Sequence, residues 1–166
     1  MKFKIADFDE EGPLVWKKRY KGYYRHAISI GQKENKHLIE KIARIIFGPT
    51  GYLYDDEWAD YIPNYFESKK NGEPKSQQVS FDHVIFIHGL IPIIFETDDP
   101  SHYDKNYCEL KGWNYDERIR KDKIKDEWAK INNIPLIRLR DNMSLDEKKK
   151  LIINIFTDVK NSIRSR

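Results

Sequence analysis

The sequence predicts an α/β domain built on a mixed β-sheet flanked by helices. Two adjacent β-rich runs, residues 79–87 and 90–96, are separated by His88 and Gly89, which marks a hairpin. Apolar residues at helical spacing mark three other segments, and a short strand over 134–139 lies between the last two. The order of helix, hairpin, helix, strand and helix implies a sandwich with a sheet of mixed direction.

The first helix is predicted over 33–47, where Leu38, Ile39, Ile42, Ile45 and Ile46 recur at helical spacing and Gly48-Pro49 supplies the stop. Residues 51–80 are polar, with Pro63, Asn71-Gly72 and Pro74, and read as a strand remnant over 52–54 followed by a long loop or insertion. In the hairpin, Ile93, Ile94 and Phe95 in unbroken succession imply burial on both faces, while Pro92 makes the strand irregular at its start or places it at an edge. Residues 99–114 read as a loop ending near Gly112. The second helix, 115–132, carries Ile119, Ile124, Trp128 and Ile131 as an imperfect stripe and ends at Asn133. Pro135 leads into the strand over 134–139. Ser144 as N-cap with Glu147 at N3 then opens a last helix bearing Leu145, Leu151, Ile152, Ile155, Phe156 and Val159.

A chain of 166 residues suits one domain: a basic, aromatic N-terminal extension over 1–32, a core over 33–140 and a C-terminal helix over 141–166. Cys108 is the only cysteine, which excludes a disulfide framework and a cysteine-rich zinc site and points to a reducing, cytoplasmic compartment in a bacterial or phage-encoded protein. The longest apolar run, 91–95, is far short of a membrane span, and the first residues lack the apolar core of a secretory signal. No GxxxxGK[ST] sequence is present, so a P-loop nucleotidase is excluded.

The net charge of +3 hides segregation. Residues 16–26 hold Lys17, Lys18, Arg19, Lys21 and Arg25 with no acid, interleaved with Trp16, Tyr20, Tyr23 and Tyr24. Such a stretch suits a phosphate backbone and stacked bases, and suits equally an aromatic-anchored strand or loop with a solvated basic face.

Six polar residues fall where core packing explains them poorly: Asp82, Glu96, Asp98, His102, Asp122 and Lys125. Asp82 follows Phe81 in the first hairpin strand, and Glu96 closes the second after three apolar residues. Carboxylates there are costly to bury without a cation. Strand alternation puts Glu96 and Asp98 on one side, and with Asp82 from the paired strand they make an oxygen cage suited to Mg²⁺ or Mn²⁺. His102 is a candidate general base, Asp122 a group to orient its imidazole, and Lys125, on the same helix face, a partner for a phosphate or for developing charge. Taken singly, each has an ordinary alternative: a turn-capping acid, a polar loop, a solvated helix pair. His83 and His88 read as structural or surface residues, and Trp58, Trp113 and Trp128 as core or interface. A hydrolase built on Cys108 and His102 is a remote alternative.

The runs Phe81-Asp82, Phe95-Glu96-Thr97-Asp98-Asp99-Pro100-Ser101-His102, Arg120-Lys121-Asp122-Lys123-Ile124-Lys125 and Asn133-Ile134-Pro135-Leu136-Ile137-Arg138-Leu139 resemble the Vsr-like, EDxHD branch of the PD-(D/E)XK nuclease superfamily. The likeness covers about residues 79–140, and the helix carrying Glu40 fits more loosely the one that bears an accessory acid in these enzymes. The resemblance implies a restriction-endonuclease-like core. It makes Asp82 and Glu96 metal-binding acids, His102 the base that activates water and Asp122 the acid that orients it. Asp98 stands where the usual motif has its lysine, a role that passes here to Lys125. Asp99 in place of a common glycine, the long polar stretch before Val79 and the extended loop after His102 depart from the pattern.

Residues and resemblance together lead to the expectation of a Mg²⁺- or Mn²⁺-dependent endonuclease acting on duplex DNA, with Lys17, Lys18, Arg19, Lys21, Arg25 and Lys121 holding the duplex. One active site in a small domain implies nicking by a monomer or double-strand cutting by a homodimer. The competing expectations are an inactive DNA-binding or accessory protein of the same fold, or a nuclease acting on RNA.

Overall fold

The computed structural model describes residues 8–9, 12–13, 29–88 and 91–165, with the two short pairs and residues 56–60 described as backbone. Strands β1 (Phe8–Asp9) and β2 (Gly12–Pro13) pair antiparallel by themselves. The basic residues Lys17, Lys18, Arg19, Lys21 and Arg25 lie outside the described residues.

The main sheet has the order β3 (Tyr52–Ser68), β4 (Pro74–Ile87), β5 (Ile91–Asp98) and β6 (Leu136–Arg140). The first three strands are antiparallel neighbours and β6 lies parallel to β5, so the sheet is mixed. Helix α1 (Ile30–Phe47) and the C-terminal helix α4 (Leu145–Arg164) cover one face, and α3 (Tyr115–Ile131) covers the other.

Two stretches differ from the sequence-based expectation. Residues 51–80, read as a loop after a strand remnant, form most of a long hairpin whose pairing runs from Tyr52 opposite Ile87 to Asn64 opposite Lys75. Its tip is tied by Lys69 N–H to Glu73 O at 2.7 Å, with Gly72 at φ 84°. Pro63 is tolerated because β3 is an edge strand, where a missing N–H breaks no inner ladder. The second difference is α2 (Lys105–Leu110), a short helix inside the expected loop, N-capped by Asp104 and anchored by buried Cys108.

The expected helices hold, with shifted ends. Ser29 and Gln32 make a capping box that starts α1 three residues before the predicted start at 33, and Ser144 with Glu147 makes the capping box expected for α4. Gly48, at φ 79°, closes α1 by donating to Arg44 O at 3.0 Å. Ile45 and Leu145, counted in the predicted apolar stripes, are exposed.

Strand alternation divides the core. Ile85, Ile87, Ile93 and Phe95 face α1 and α4, where they meet Ile39, Ile42, Ile152, Phe156 and Val159. Val84, Phe86 and Ile94 face α3, against Ile124, Trp128 and Ala129, and Phe81, out of step with that alternation, packs in the same cluster with its ring 5.5 Å from that of Trp128. Ile93, Ile94 and Phe95 have no exposure, as their unbroken apolar run requires. Each such side chain stabilises the fold by about 1.5–3 kcal/mol. Pro92 pairs opposite Phe86 at the end of β5 that β6 does not reach, so its missing N–H interrupts no ladder on that side. No helix among the described residues is long and apolar enough to cross a membrane.

Candidate active site

The end of β5 and the facing side of α3 bring most of the candidate residues together. Beyond β5, Asp99 accepts from Ser101 N–H at 2.9 Å and from the Ser101 hydroxyl, and Pro100 begins a 3₁₀ turn, Pro100–His102. The buried Cys108 thiol holds that turn by donating to Ser101 O at 3.1 Å. Cys108 is therefore a structural donor beneath the turn, and this bonding gives no support to a Cys/His hydrolase.

The turn aims His102 at α3. Its Nδ1 lies 2.8 Å from Asp122 Oδ2 and 3.7 Å from Asp98 Oδ1. Burial works against a charged imidazole here. The Asp122 hydrogen bond and the charges of Asp122 and Asp98 outweigh it, so His102 titrates above its ordinary value. Asp122 is also resisted by burial, but His102 and Arg138 hold its carboxyl below the usual range. A proton on Nδ1, held by Asp122, leaves the Nε2 lone pair to act as a base.

Asp98 corrects the predicted three-acid cage. It is buried and bound by Arg138, whose Nη1 lies 3.1 Å from Asp98 Oδ1 and 3.4 Å from Asp122 Oδ1, while Nη2 reaches Asp126 at 2.7 Å. Among the described residues no three histidine, cysteine or acidic side chains are grouped to hold a metal ion. Asp98 thus belongs with the His102, Asp122 and Arg138 cluster, because the parallel register Glu96 to Arg138 brings the guanidinium beside it. Arg138 received no role from the sequence. Its signal was an arginine inside a short apolar strand next to three acids.

Asp82 and Glu96 form a separate carboxylate pair. The β4–β5 ladder ends with His83 opposite Phe95, one residue short of both acids, and the Asp82 charge acts on Glu96 and on Lys125. Thr97 N–H donates to Asp82 Oδ2 at 2.7 Å, and Gln32 Nε2 donates to Oδ1 at 2.8 Å. Gln32 does this while its own Oε1 accepts from Ser29 N–H, so the cap of α1 also positions the acid. Glu96 is 2% exposed. Its Oε2 lies 2.7 Å from Lys125 Nζ, and its Oε1 is buried without a hydrogen-bond partner. Burial, reinforced by the charge of Asp82, pushes Glu96 up to about 7 against the opposing pull of Lys125. Lys125 is buried as well, yet Glu96 raises its pKa.

An unsatisfied carboxylate oxygen on an acid that feels the charge of a second acid fits a hard divalent cation. Mg²⁺ commonly binds through one or two carboxylates and keeps several waters. Asp82 and Glu96 are thus the residues that would hold such an ion.

Behind this pair, on the α1 and α4 side, lies a buried polar chain. His83 is bonded through Nδ1 to the Tyr54 hydroxyl and lies, at Nε2, 3.0 Å from Thr97 Oγ1; Asn35 Nδ2 donates to that same oxygen at 2.9 Å. Lys148 Nζ donates to Asn35 Oδ1 at 3.3 Å. The chain fixes Thr97, whose amide in turn fixes Asp82. His83, read from the sequence as structural or surface, is buried.

Other candidates are not brought in. Glu40 lies eight residues beyond Gln32, about 12 Å along α1, and lines a separate surface cleft with His37, Lys41 and Arg44. The α1 helix does reach the site, but with the Gln32 amide instead of the expected acid. Lys121 is exposed on α3 and pairs with Glu117 at 3.5 Å, while Lys125 is not peripheral. Sequence reasoning also missed Arg118, whose Nη2 lies 3.5 Å from His102 Nε2. Comparisons of the chain with family models, curated proteins and solved structures returned no match.

Proposed function

We propose that the chain is a metal-dependent endonuclease with a restriction-endonuclease-like core that hydrolyses phosphodiester bonds in duplex DNA. The observation that carries this reading is the His102–Asp122 pair set beside the Asp82–Glu96 carboxylates, with Asp122 and Lys125 one turn apart on the same helix. A base with one nitrogen held and the other available, next to an incompletely satisfied acid pair, matches the requirements of metal-assisted hydrolysis.

In this reading His102 Nε2 takes a proton from a water molecule as its oxygen attacks phosphorus. The bond from phosphorus to the leaving oxygen breaks, and that oxygen takes a proton from solvent. Asp122 keeps the imidazole in the required tautomer and stabilises the imidazolium that forms. Mg²⁺ or Mn²⁺ bound by Asp82 and Glu96 would supply Lewis-acid stabilisation of the charge on the phosphoryl oxygens. Lys125 balances the buried Glu96 carboxylate, and Arg138 balances Asp98 and Asp122, so the four acids can stand close together without expelling an anionic substrate.

Incubating the full chain with supercoiled plasmid, with and without Mg²⁺ or Mn²⁺, tests the reading. Metal-dependent conversion to nicked or linear product that disappears in His102→Ala and Asp82→Ala is expected. Cleavage that survives in both variants, or none by the unmodified chain, contradicts it.

A further inference from the structure

Arg118 is set apart from the other arginines around the cleft. Arg120 pairs with Glu117 and Glu67, and Arg138 with three aspartates, whereas no carboxylate pairs with Arg118 among the described residues. Its guanidinium lies over the Trp113 ring, 5.0 Å from the centroid, and Trp113 is braced edge-on by Tyr107. Its Nε is buried without a hydrogen-bond partner. Its Nη2 lies 3.5 Å from His102 Nε2, the nitrogen that a base must present to water.

A guanidinium with an unmade N–H, no counter-ion and a flat aromatic support is arranged to take a planar pair of anionic oxygens. It stands four residues before Asp122, one turn along the same face of α3, so an anion bound to it sits beside the catalytic imidazole. Arg118 Nη2 faces the His102 Nε2 nitrogen at 3.5 Å.

We propose that Arg118 binds the substrate phosphate and, by swinging onto it, uncovers His102 Nε2, so that the base becomes available only when a phosphodiester is in place. This rests on the nuclease reading for the identity of the substrate, but the anion site itself does not depend on turnover. Aromatic support from Trp113 holds the guanidinium beside the imidazole, which keeps the exchange between its two partners local.

Two measurements test it. In the full chain without divalent metal, inorganic phosphate and then a short DNA duplex are titrated while the Arg118 Nε–H and His102 ring resonances are followed by NMR. Saturable movement of both is expected, and fixed resonances would overturn the proposal. In the presence of Mg²⁺, Arg118→Gln is expected to weaken duplex binding about tenfold or more and to lower kcat as well, with Arg118→Lys restoring part of the binding. Unchanged KM and kcat in Arg118→Gln would overturn it. Failure of the unmodified chain to cleave DNA would remove the nuclease reading alone, because the phosphate titration still decides whether Arg118 is an anion site.

Discussion

Replacing Lys125 with Met removes the cation from a buried pair while nearly keeping its volume. The pair is close, 2.7 Å, and both side chains are largely withdrawn from water. Glu96 already carries one unsatisfied oxygen, so losing Lys125 leaves the carboxylate without its main support. The consequence depends on pH. Glu96 rises from the ordinary 4.5 to about 7 in the folded protein. A raised acid lends its stability below the unfolded value and loses it as pH climbs through the folded one, here roughly 3 kcal/mol between those limits. Without Lys125 the folded value moves higher still. Above pH 7 the parent chain no longer changes through this group, but the variant continues to lose about 1.4 kcal/mol per pH unit until its own Glu96 ionises. At pH 5, with Glu96 protonated in both, a volume-conserving exchange costs about 1 kcal/mol or less. By pH 9 the loss approaches the roughly 3–5 kcal/mol that follows removal of one partner of a buried pair. Urea unfolding of both proteins at pH 5, 7 and 9 measures it. A loss of equal size at pH 5 and pH 9 would refute the assignment of Glu96 as the strained acid.

Three further outcomes follow from the same geometry. Millimolar Mg²⁺ is expected to raise the melting temperature by several degrees at pH 8 and much less at pH 5, where Glu96 is protonated, and Asp82→Asn is expected to remove the effect; a thermal scan in both buffers decides it. Thr97→Val strips a shared hydrogen-bond partner from buried His83 and Asn35 and is expected to cost about 1–2 kcal/mol in urea unfolding while leaving the Asp82 contact to the residue 97 amide in place. Asp122→Asn keeps an acceptor but removes the negative charge that helps hold His102 above its ordinary value, so NMR titration should find the imidazole titrating lower. Because a raised histidine stabilises the fold below its unfolded value and loses that contribution as pH rises through the folded one, the stability lost in this variant should be greatest in acid below about pH 6.5 and shrink above it.

The α/β class, the three longer helices and the β4–β5 hairpin were legible because they rest on short-range signals: capping residues, helical spacing and an apolar run at strand length. The outer part of the β3–β4 hairpin was not. Its sequence is charged and broken by Pro63, and among its described residues the buried apolar side chains are Ile62 and Val79, so neither alternation nor hydropathy marks it as strand. Helix α2 escaped because a six-residue helix resting on one buried cysteine leaves no periodicity. At the site, His102 and Asp122, joined in the sequence reading, lie 2.8 Å apart, and alternation put Glu96 and Asp98 on one side with Asp82 from the paired strand. The same alternation misassigned Asp98: it tells which face a side chain takes, not which partner waits there. That partner, Arg138, depended on β6 lying parallel beside β5. Gln32 and Arg118 were invisible for the same reason, since each acts through a contact made only in the folded chain.

The most direct test of the nuclease account is the pH dependence of Mg²⁺-dependent cleavage of duplex DNA by the full chain beside His102→Gln. The account predicts that cleavage by the parent rises with pH as the imidazole loses its proton, with a midpoint above the ordinary histidine value. It predicts that the variant is slower by about 10²–10⁴-fold and lacks that rise. Equal rates in the two proteins, or the same rise in both, would contradict it.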